Sequence, residues 1–219
     1  GFLFGPNATV NVGGMVAFPS ADYMRLADGG RFNAIPNAAA DALLSAAPVA
    51  AFGFLGSNPG AITVQGSQLS VTPGQSISLV GGNITIQAGT LDDGIIVQPA
   101  RLSAPGGQIN LASVASPGEI LLPNLQSAPN INGQSFTAMG NISLSQGAIL
   151  DVSADAAGMV RIRGGKLVMD QATISADTVN ANGAPVAIDI NVTGDISISA
   201  VDVPALTART TGTGDAGAI

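Results

Sequence analysis

The stretch "GMVRIRGGKLVMDQATISAD" (Gly158–Asp177) contains three short segments in which apolar and polar residues alternate. Two glycines separate the first segment from the second, and Gln171 separates the second from the third. Alternation with a period of two is typical of a β-strand with one buried face. Such a set of strands cannot bury its apolar face alone, so the pattern predicts a unit that stacks on similar units.

Comparable alternating segments occur from residue 56 onwards, and sets of three are clearest between Gly140 and Ala200. The chain is therefore predicted to be all-β, as a right-handed parallel β-helix, or solenoid, with small extra-helical hairpins or loops. Strands of one coil would pair with those of the next about 4.8 Å away. The predicted strands are Ala61–Gln65, Ile77–Val80, Asn83–Gln87, Gln108–Val114, Asn141–Ser145, Met159–Arg163, Lys166–Asp170, Ala172–Ala176, Val186–Val192 and Asp195–Ser199.

The length of the repeat predicts the size of the solenoid. Coils of about 20 to 25 residues would give roughly nine coils and a rod of about 40 Å. Many short strands would also suit an antiparallel sandwich. Asn-Gly turns, the usual hairpin signal, occur at Asn132-Gly133 and Asn182-Gly183, mostly away from closely spaced strands, which favours the β-helix.

Two segments are predicted to leave the coils. A helix is expected over Ala38–Ala47, with Asn37 as its cap and Pro48 as its stop. The segment Pro123–Phe136 is expected to form a loop or an excursion outside the helix.

Composition excludes several function classes. The 219 residues include no cysteine and no histidine, so zinc, haem and thiol chemistry lack their usual ligands, and we expect no metal and no cofactor. A net charge of -7 with only 7 Lys and Arg argues against nucleic acid and against anionic membranes. No apolar run is long enough to cross a bilayer, so no membrane insertion is expected.

Candidate cofactor and metal motifs have simpler explanations. "GTGDAG" (Gly212–Gly217) matches a dinucleotide-binding pattern, which requires a preceding strand and a following helix. Asp92-Asp93, Asp151 with Asp155, and Asp215 suggest calcium, but their spacing matches no calcium loop. Solvated carboxylates in turns are the favoured interpretation of these aspartates.

A catalytic alternative rests on one charged cluster. Arg161 and Arg163 share a strand face if the period is two, and Asp170 would pair with one of them, near Lys166. Catalytic β-helices use paired carboxylates or a carboxylate with Arg or Lys, beside aromatic platforms for sugars. The chain has no Trp and a single Tyr, so a surface ion pair is the favoured interpretation and the protein is not expected to be an enzyme.

Two further residue classes have alternative interpretations. Asn-x-Ser/Thr triplets begin at Asn7, Asn83, Asn141 and Asn191, and they suit either sugar attachment or, as favoured here, coil corners with asparagine ladders. The early phenylalanines would form either an exposed docking strip or a packed core near one end. They are Phe2, Phe4, Phe18, Phe32, Phe52 and Phe54.

Five ordered blocks of sequence resemble a known family. They resemble the haemagglutination-activity, or two-partner secretion, domain of filamentous-haemagglutinin-like bacterial exoproteins. The resemblance covers residues 1–122, as a partial secretion domain, and residues 123–219 resemble the first coils of the repeat shaft, continuous in one solenoid. The blocks are "FGPNATVNVGG" (Phe4–Gly14), "YMRLADGGRFNA" (Tyr23–Ala34), "NPGAITVQGSQLSV" (Asn58–Val71), "PGQSISLVGGNITIQAG" (Pro73–Gly89) and "APGGQINLASVASPGEI" (Ala104–Ile120).

The resemblance implies a secretory role. Such a domain is recognised by an outer-membrane transporter partner after export to the periplasm, and it nucleates folding of a stalk at the cell surface. Of two secretion-associated motifs, the second matches Ser57, Asn58, Pro59 and Gly60. The first motif normally just precedes "FGPNA", so we expect the chain to lack the extreme amino-terminal part of the domain.

Other functions remain as alternatives. The parent protein would be a secreted or surface adhesin or haemagglutinin, with host or cell-surface glycans as possible partners. The alternative class is a β-helical carbohydrate-binding or carbohydrate-active protein. An exposed groove along the coils would favour binding, and paired carboxylates in such a groove would favour catalysis.

Overall fold

A computed structural model describes residues 1–36, 38–41, 45–92, 94–122 and 136–219. In this part of the chain the fold is all-β apart from the short helix α1 (Ala38–Asp41). The strands, numbered in chain order, are β1 (Phe2–Phe4), β2 (Thr9–Val12), β3 (Val16–Pro19), β4 (Tyr23–Leu26), β5 (Arg31–Asn33), β6 (Val49–Phe54), β7 (Ile62–Gln65), β8 (Gln68–Val71), β9 (Ser76–Gly81), β10 (Ile84–Gln87), β11 (Gly89–Thr90), β12 (Val97–Gln98), β13 (Arg101–Ser103), β14 (Gln108–Ser113), β15 (Gly118–Leu121), β16 (Ile142–Ser145), β17 (Ile149–Asp151), β18 (Met159–Gly164), β19 (Leu167–Asp170), β20 (Thr173–Ser175), β21 (Ile188–Val192), β22 (Ile196–Ser199) and β23 (Leu206–Thr207).

Three parallel sheets form the body of the molecule. The first sheet has the order β1-β7-β10-β16-β19-β22, the second β2-β8-β13-β17-β20-β23, and the third β3-β9-β14-β18-β21. The chain visits the first, second and third sheets in that order and then starts again, so each triplet of strands stacks on the previous one. This arrangement is compatible with a β-helix.

Register within the sheets follows the apolar pattern. Ile62 lies opposite Ile84, which lies opposite Ile142 and then Leu167 in the following strands of the first sheet. Side chains at these positions point inward and are almost wholly buried in one continuous cluster shared by the three sheets. Glycine-marked turns and alternation therefore dictate which face of each strand enters the core.

A small antiparallel sheet stands outside the parallel ones. Its order is β15-β6-β4-β5, and it packs on the outer face of the third sheet through a second apolar cluster that includes Phe52, Phe54 and Ile120. All six residues of β9 are consequently buried, whereas the uncovered strand β18 keeps a strict alternation of buried and half-buried residues. The β11–β12 hairpin is a second antiparallel element outside the three sheets.

The predicted all-β class and the parallel strand pairing are confirmed, with specific corrections. All ten predicted strands occur within two residues of their predicted limits. The sandwich alternative is wrong for the three main sheets, because their strands pair in parallel. Among the described residues, the first and second sheets have six strands each, not the nine coils predicted, because the segments between β3 and β7 and between β14 and β16 leave the stack.

The predicted helix is confirmed over one turn, and residues 42–44 lie outside the described residues. Helix α1 covers Ala38–Asp41, while Ser45–Ala47 are not helical and Asn37 lies outside the described residues. The Asp41 carboxylate accepts hydrogen bonds from Asn33 on β5, which fixes this part of the segment against the sheet edge. The predicted loop Pro123–Phe136 lies outside the described residues apart from Phe136, which packs against Phe54.

Candidate partner-recognition site

Ser57–Gly60, the segment singled out by resemblance, connects two different sheets. It follows β6 of the antiparallel sheet and leads directly into β7 of the first parallel sheet. Ser57 and Asn58 are exposed, whereas Pro59 and Gly60 are half-buried. The structure thus brings all four predicted residues together in one crossover on the surface.

Backbone from two neighbouring layers holds the inner half of this crossover. The Gly60 carbonyl accepts a hydrogen bond from the Gly82 amide at 2.9 Å and another from the Ser20 hydroxyl. A Cβ atom on Gly60 would overlap the Gly1 backbone, and one on Gly82 would overlap the Pro59 carbonyl. Close backbone approach on both sides therefore requires glycine at these two positions.

The outer half of the crossover is free of such contacts. Within the described part of the chain, neither the Ser57 nor the Asn58 side chain makes a hydrogen bond. Leu55, two residues before Ser57, is 62% exposed, and its amide donates to the Asp22 carboxylate at 2.7 Å. The Asn58 side-chain amide and the apolar Leu55 side chain are thus both exposed to solvent next to a hydrogen-bonded backbone.

A polar cluster on the antiparallel sheet anchors the same region. Glu119 on β15 accepts hydrogen bonds from the Tyr23 hydroxyl and from Nε of Arg25, each at 2.8 Å. The Arg31 guanidinium lies over the Tyr23 ring, 4.2 Å from its centroid, and that ring covers Gly53 in the neighbouring strand. Sequence reasoning missed this cluster, because its members come from distant segments.

These contacts shift the pKa values of Tyr23 and Glu119 in opposite directions. Burial raises the pKa of the Tyr23 phenol, and its bond to the Glu119 carboxylate raises that pKa further. Burial also disfavours the charged form of Glu119, but the hydrogen bonds from Tyr23 and Arg25 and the positive charge of Arg25 outweigh it and lower the pKa of this carboxyl. The cluster is therefore an ionised carboxylate held by a neutral phenol and a cation.

The predicted ion pair of Arg161 and Arg163 forms with a different aspartate from the one predicted. Arg161 and Arg163 do share the outer face of β18, but their partner is Asp189 on β21 and not Asp170. Parallel pairing places Arg161 directly opposite Asp189, whereas Asp170 belongs to the first sheet. Arg163 binds the carboxylate through both terminal nitrogens, and this bond lowers the pKa of Asp189.

The aspartates considered for calcium are separated. Asp151 pairs with Arg101, Asp155 accepts hydrogen bonds from Asn180, and Asp92 and Asp215 are exposed. In the part of the chain that the structure describes, no three acidic side chains lie close enough together to hold a metal ion. Asp93 lies outside that part.

Glycines of the GTGDAG motif have a packing role. Cβ atoms on Gly212, Gly214 and Gly217 would overlap carbonyl oxygens of the preceding layer at Val179, Ala181 and Ala184. These close contacts assign the three glycines to packing between layers.

Five of the six early phenylalanines lie in two packed clusters, and Phe32 lies in neither. Phe2, Phe4 and Phe18 form an aromatic cluster at the β1 end of the stack, with ring centroids 4.9 to 6.2 Å apart. Phe52 and Phe54 are buried beneath the antiparallel sheet, so the core interpretation is correct for them. Phe2 and Phe32 remain more exposed than the others, as residues of a docking strip would.

The asparagine prediction is confirmed at one corner. The Asn83 side-chain oxygen accepts the backbone N–H of Asn141 in the next layer at 2.9 Å. All four triplet asparagines, at positions 7, 83, 141 and 191, are exposed.

In the residues described, no helix has the length and apolar character needed to span a membrane.

Comparison with known proteins decides the family. A family model described as the TPS secretion domain matches residues 1–167. The chain belongs to this family. It is therefore a two-partner secretion domain of a secreted exoprotein, and TPS domains in general interact with a transporter of the TpsB type. No curated protein and no solved structure matches the chain.

The match extends over most of the described fold. It includes the antiparallel sheet, the Ser57–Gly60 crossover and the parallel strands as far as the first residue of β19. Beyond the match, β19 to β23 continue the three parallel sheets of the TPS domain in register.

Proposed function

We propose that this TPS domain is recognised by an outer-membrane transporter through the Ser57–Gly60 crossover, and that it then nucleates folding of the exoprotein. The observation that carries the proposal is that one half of the crossover is held in place while the other half is exposed. Pro59 and Gly60 are fixed between glycine backbones, while Ser57 and Asn58 are exposed and without side-chain hydrogen bonds to described residues. A preorganised polar loop loses little conformational entropy on binding a partner.

The parallel sheets support a stalk-forming role. We propose that the triplets of strands wind as a right-handed parallel β-helix, since right-handed crossovers are the rule for parallel strands. Successive coils need only their neighbours to fold, so folding can proceed from the first coil onwards as the chain emerges from a pore.

We further infer a route through the periplasm to the cell surface and a parent protein that acts as an adhesin or haemagglutinin. The family match, which is to a domain of secreted exoproteins, supports this inference. The chain itself would serve as the export and nucleation module of that protein.

Substitution in the full-length exoprotein tests the recognition site. Asn58→Ala combined with Pro59→Ala is expected to reduce the amount of exoprotein in the medium several-fold, because the transporter would lose its contact. Asn7→Ala is the matched control, since Asn7 is also an exposed turn asparagine. Secretion is measured by immunoblotting of medium and cell fractions.

A folding measurement separates recognition from stability. The purified variant domain is expected to keep the β-rich circular dichroism and the unfolding midpoint of the parent. Normal secretion of the double variant would contradict the proposed site, and a loss of folded structure would place these residues in the scaffold instead.

A further inference from the structure

A polar groove crosses the edge of the third sheet, away from the Ser57–Gly60 crossover. It has a volume of about 490 Å³ and crosses successive layers of the stack, from Met15 beside β3, past Gln75 and Ser76, to Asn182 before β21. Between these ends it is lined by Gln108 of β14 and Met159 of β18. Its long direction therefore lies across the strands and along the stack.

One lining position recurs in each layer of the groove: it is a buried Ser76 (7% exposed), a polar Gln108 and an apolar Met159. Ser76, Gln108 and Met159 occupy the same register position on three consecutive strands, which are about 4.8 Å apart in a parallel sheet. None of the lining residues is charged. In a chain with a net charge of -7, an uncharged groove is suited to a neutral polar ligand.

Buried polar residues hold one lining side chain in place. Asn110 is 0% exposed, donates to the Ser78 hydroxyl at 3.1 Å, and accepts the Gln108 side-chain N–H at 2.8 Å. The Gln108 nitrogen also donates to the Met159 sulfur at 4.0 Å, so its two hydrogens are engaged and its oxygen is left as an acceptor. Asn182 accepts the Asp215 amide through its side-chain oxygen, which leaves its NH₂ group as a donor.

The backbone amides along the groove already donate hydrogen bonds within the stack. The amides of Gln108 and Met159 donate to carbonyls of the preceding layers, at Gln75 and Gly107. An extended peptide would therefore find no open strand edge to pair with in the groove. Side-chain amides, a hydroxyl and two methionine side chains suit a chain of hydroxylated rings better.

We propose that this groove binds a linear neutral saccharide, with successive sugar units lying across successive strands. In this site Gln108 accepts a hydrogen bond from a sugar hydroxyl and Asn182 donates one, while Met15 and Met159 contact the apolar faces of the rings. The proposal goes beyond transporter recognition and does not rest on it, since the two sites share no residue.

Titration of the ¹⁵N-labelled 219-residue chain tests the proposal, with cellohexaose, mannohexaose and chitohexaose as probes. At least one hexaose is expected to shift the side-chain amide signals of Gln108 and Asn182 saturably. Its disaccharide should bind more weakly, because it spans fewer strands. The double variant Gln108→Ala, Asn182→Ala is expected to raise Kd about tenfold through loss of two neutral hydrogen bonds.

Gln87→Ala is the matched control, because Gln87 is a half-buried residue on the outer face of a different sheet. It should leave Kd unchanged, and circular dichroism should show all variants folded. Absence of saturable binding by all three hexaoses, or an unchanged Kd in the double variant, would overturn the proposal. Binding of a neutral Ser/Thr/Gly decapeptide in place of the saccharides would also overturn it and identify a protein ligand.

Discussion

At the scale of single residues, glycine decides where neighbouring layers can touch. A Cβ atom on Gly107 would overlap the Gln75 carbonyl, and one on Gly158 would overlap the Gly107 backbone in the layer between. The obstacle in each case is main chain that is hydrogen-bonded within the stack, so it cannot move aside. These positions are constrained by close approach between layers.

Gly107→Ala should therefore destabilise the fold by about 1–3 kcal/mol, the usual cost of overpacking. Urea unfolding followed by circular dichroism measures the change. Gly5→Ala is the control, because no atom lies within 4 Å of a Cβ at that position, and its effect should be much smaller. Equal effects of the two substitutions would show that close approach is not the constraint.

Asp189 gives a residue-scale prediction for pH. The hydrogen bond from Arg163 lowers the pKa of Asp189 below its usual value of 3.8, despite the opposing effect of burial. Because the pKa is lower in the folded state, the ion pair stabilises the fold above the unfolded pKa, and this stabilisation is lost as the pH falls through the folded pKa.

The free energy of unfolding of the wild type should therefore fall more steeply between roughly pH 5 and pH 2 than that of Asp189→Asn, which cannot titrate at this position. Urea titrations at a series of pH values measure both slopes. Parallel slopes would mean that Asp189 has the same pKa in the folded and unfolded chain.

At the scale of secondary-structure elements, β15 completes the antiparallel sheet from far along the chain. It pairs with β6, more than sixty residues earlier, and Glu119 connects it to Tyr23 and Arg25 on β4. The opposite edge strand, β5, is covered in part by the Asp41 carboxylate of α1. Glu119 therefore ties the edge strand β15 to β4 across β6, while α1 covers part of the opposite edge.

Removal of the Glu119 carboxylate should loosen that edge. Glu119→Ala leaves the Tyr23 hydroxyl and Arg25 without their shared partner, so amides of β15 and β6 should exchange hydrogen faster. Glu119→Gln, which keeps an acceptor for Tyr23, should show a smaller increase. Hydrogen–deuterium exchange with mass spectrometry measures both, and unchanged protection of β15 in the alanine variant would contradict a role for Glu119 in anchoring it.

At the scale of the whole molecule, stability comes from one core shared by stacked layers. The inward side chains of all three parallel sheets join in a single cluster, and strands in the middle of the stack have neighbours on both sides. Leu111 of β14 is 0% exposed, whereas Ile198 of β22, in the last layer of the first sheet, is 44% exposed. Apolar residues of the strands therefore contribute unequally according to their place in the stack.

Leu111→Ala should reduce the free energy of unfolding by about 2–5 kcal/mol, since it opens a cavity in the middle of the core. Ile198→Ala should cost about 1 kcal/mol or less, because much of that side chain is already in contact with solvent. Urea unfolding of the two variants checks the difference. Similar costs would contradict a continuous core that is tighter in the middle than at the end.

Ten strands of the parallel sheets followed from the amino-acid sequence, because period-two alternation and glycine turns act locally, whereas the antiparallel sheet was not predicted. The position of Ser57–Gly60 as an exposed connection also agrees with its polar, turn-forming residues. Tertiary structure alone decided which distant segments meet: β15 with β6, Asp189 instead of Asp170 with the arginines, and Asn110 with Ser78 beneath the groove. Those contacts depend on the register between layers and on the segments that leave the stack, and neither is encoded in the local pattern of any one strand.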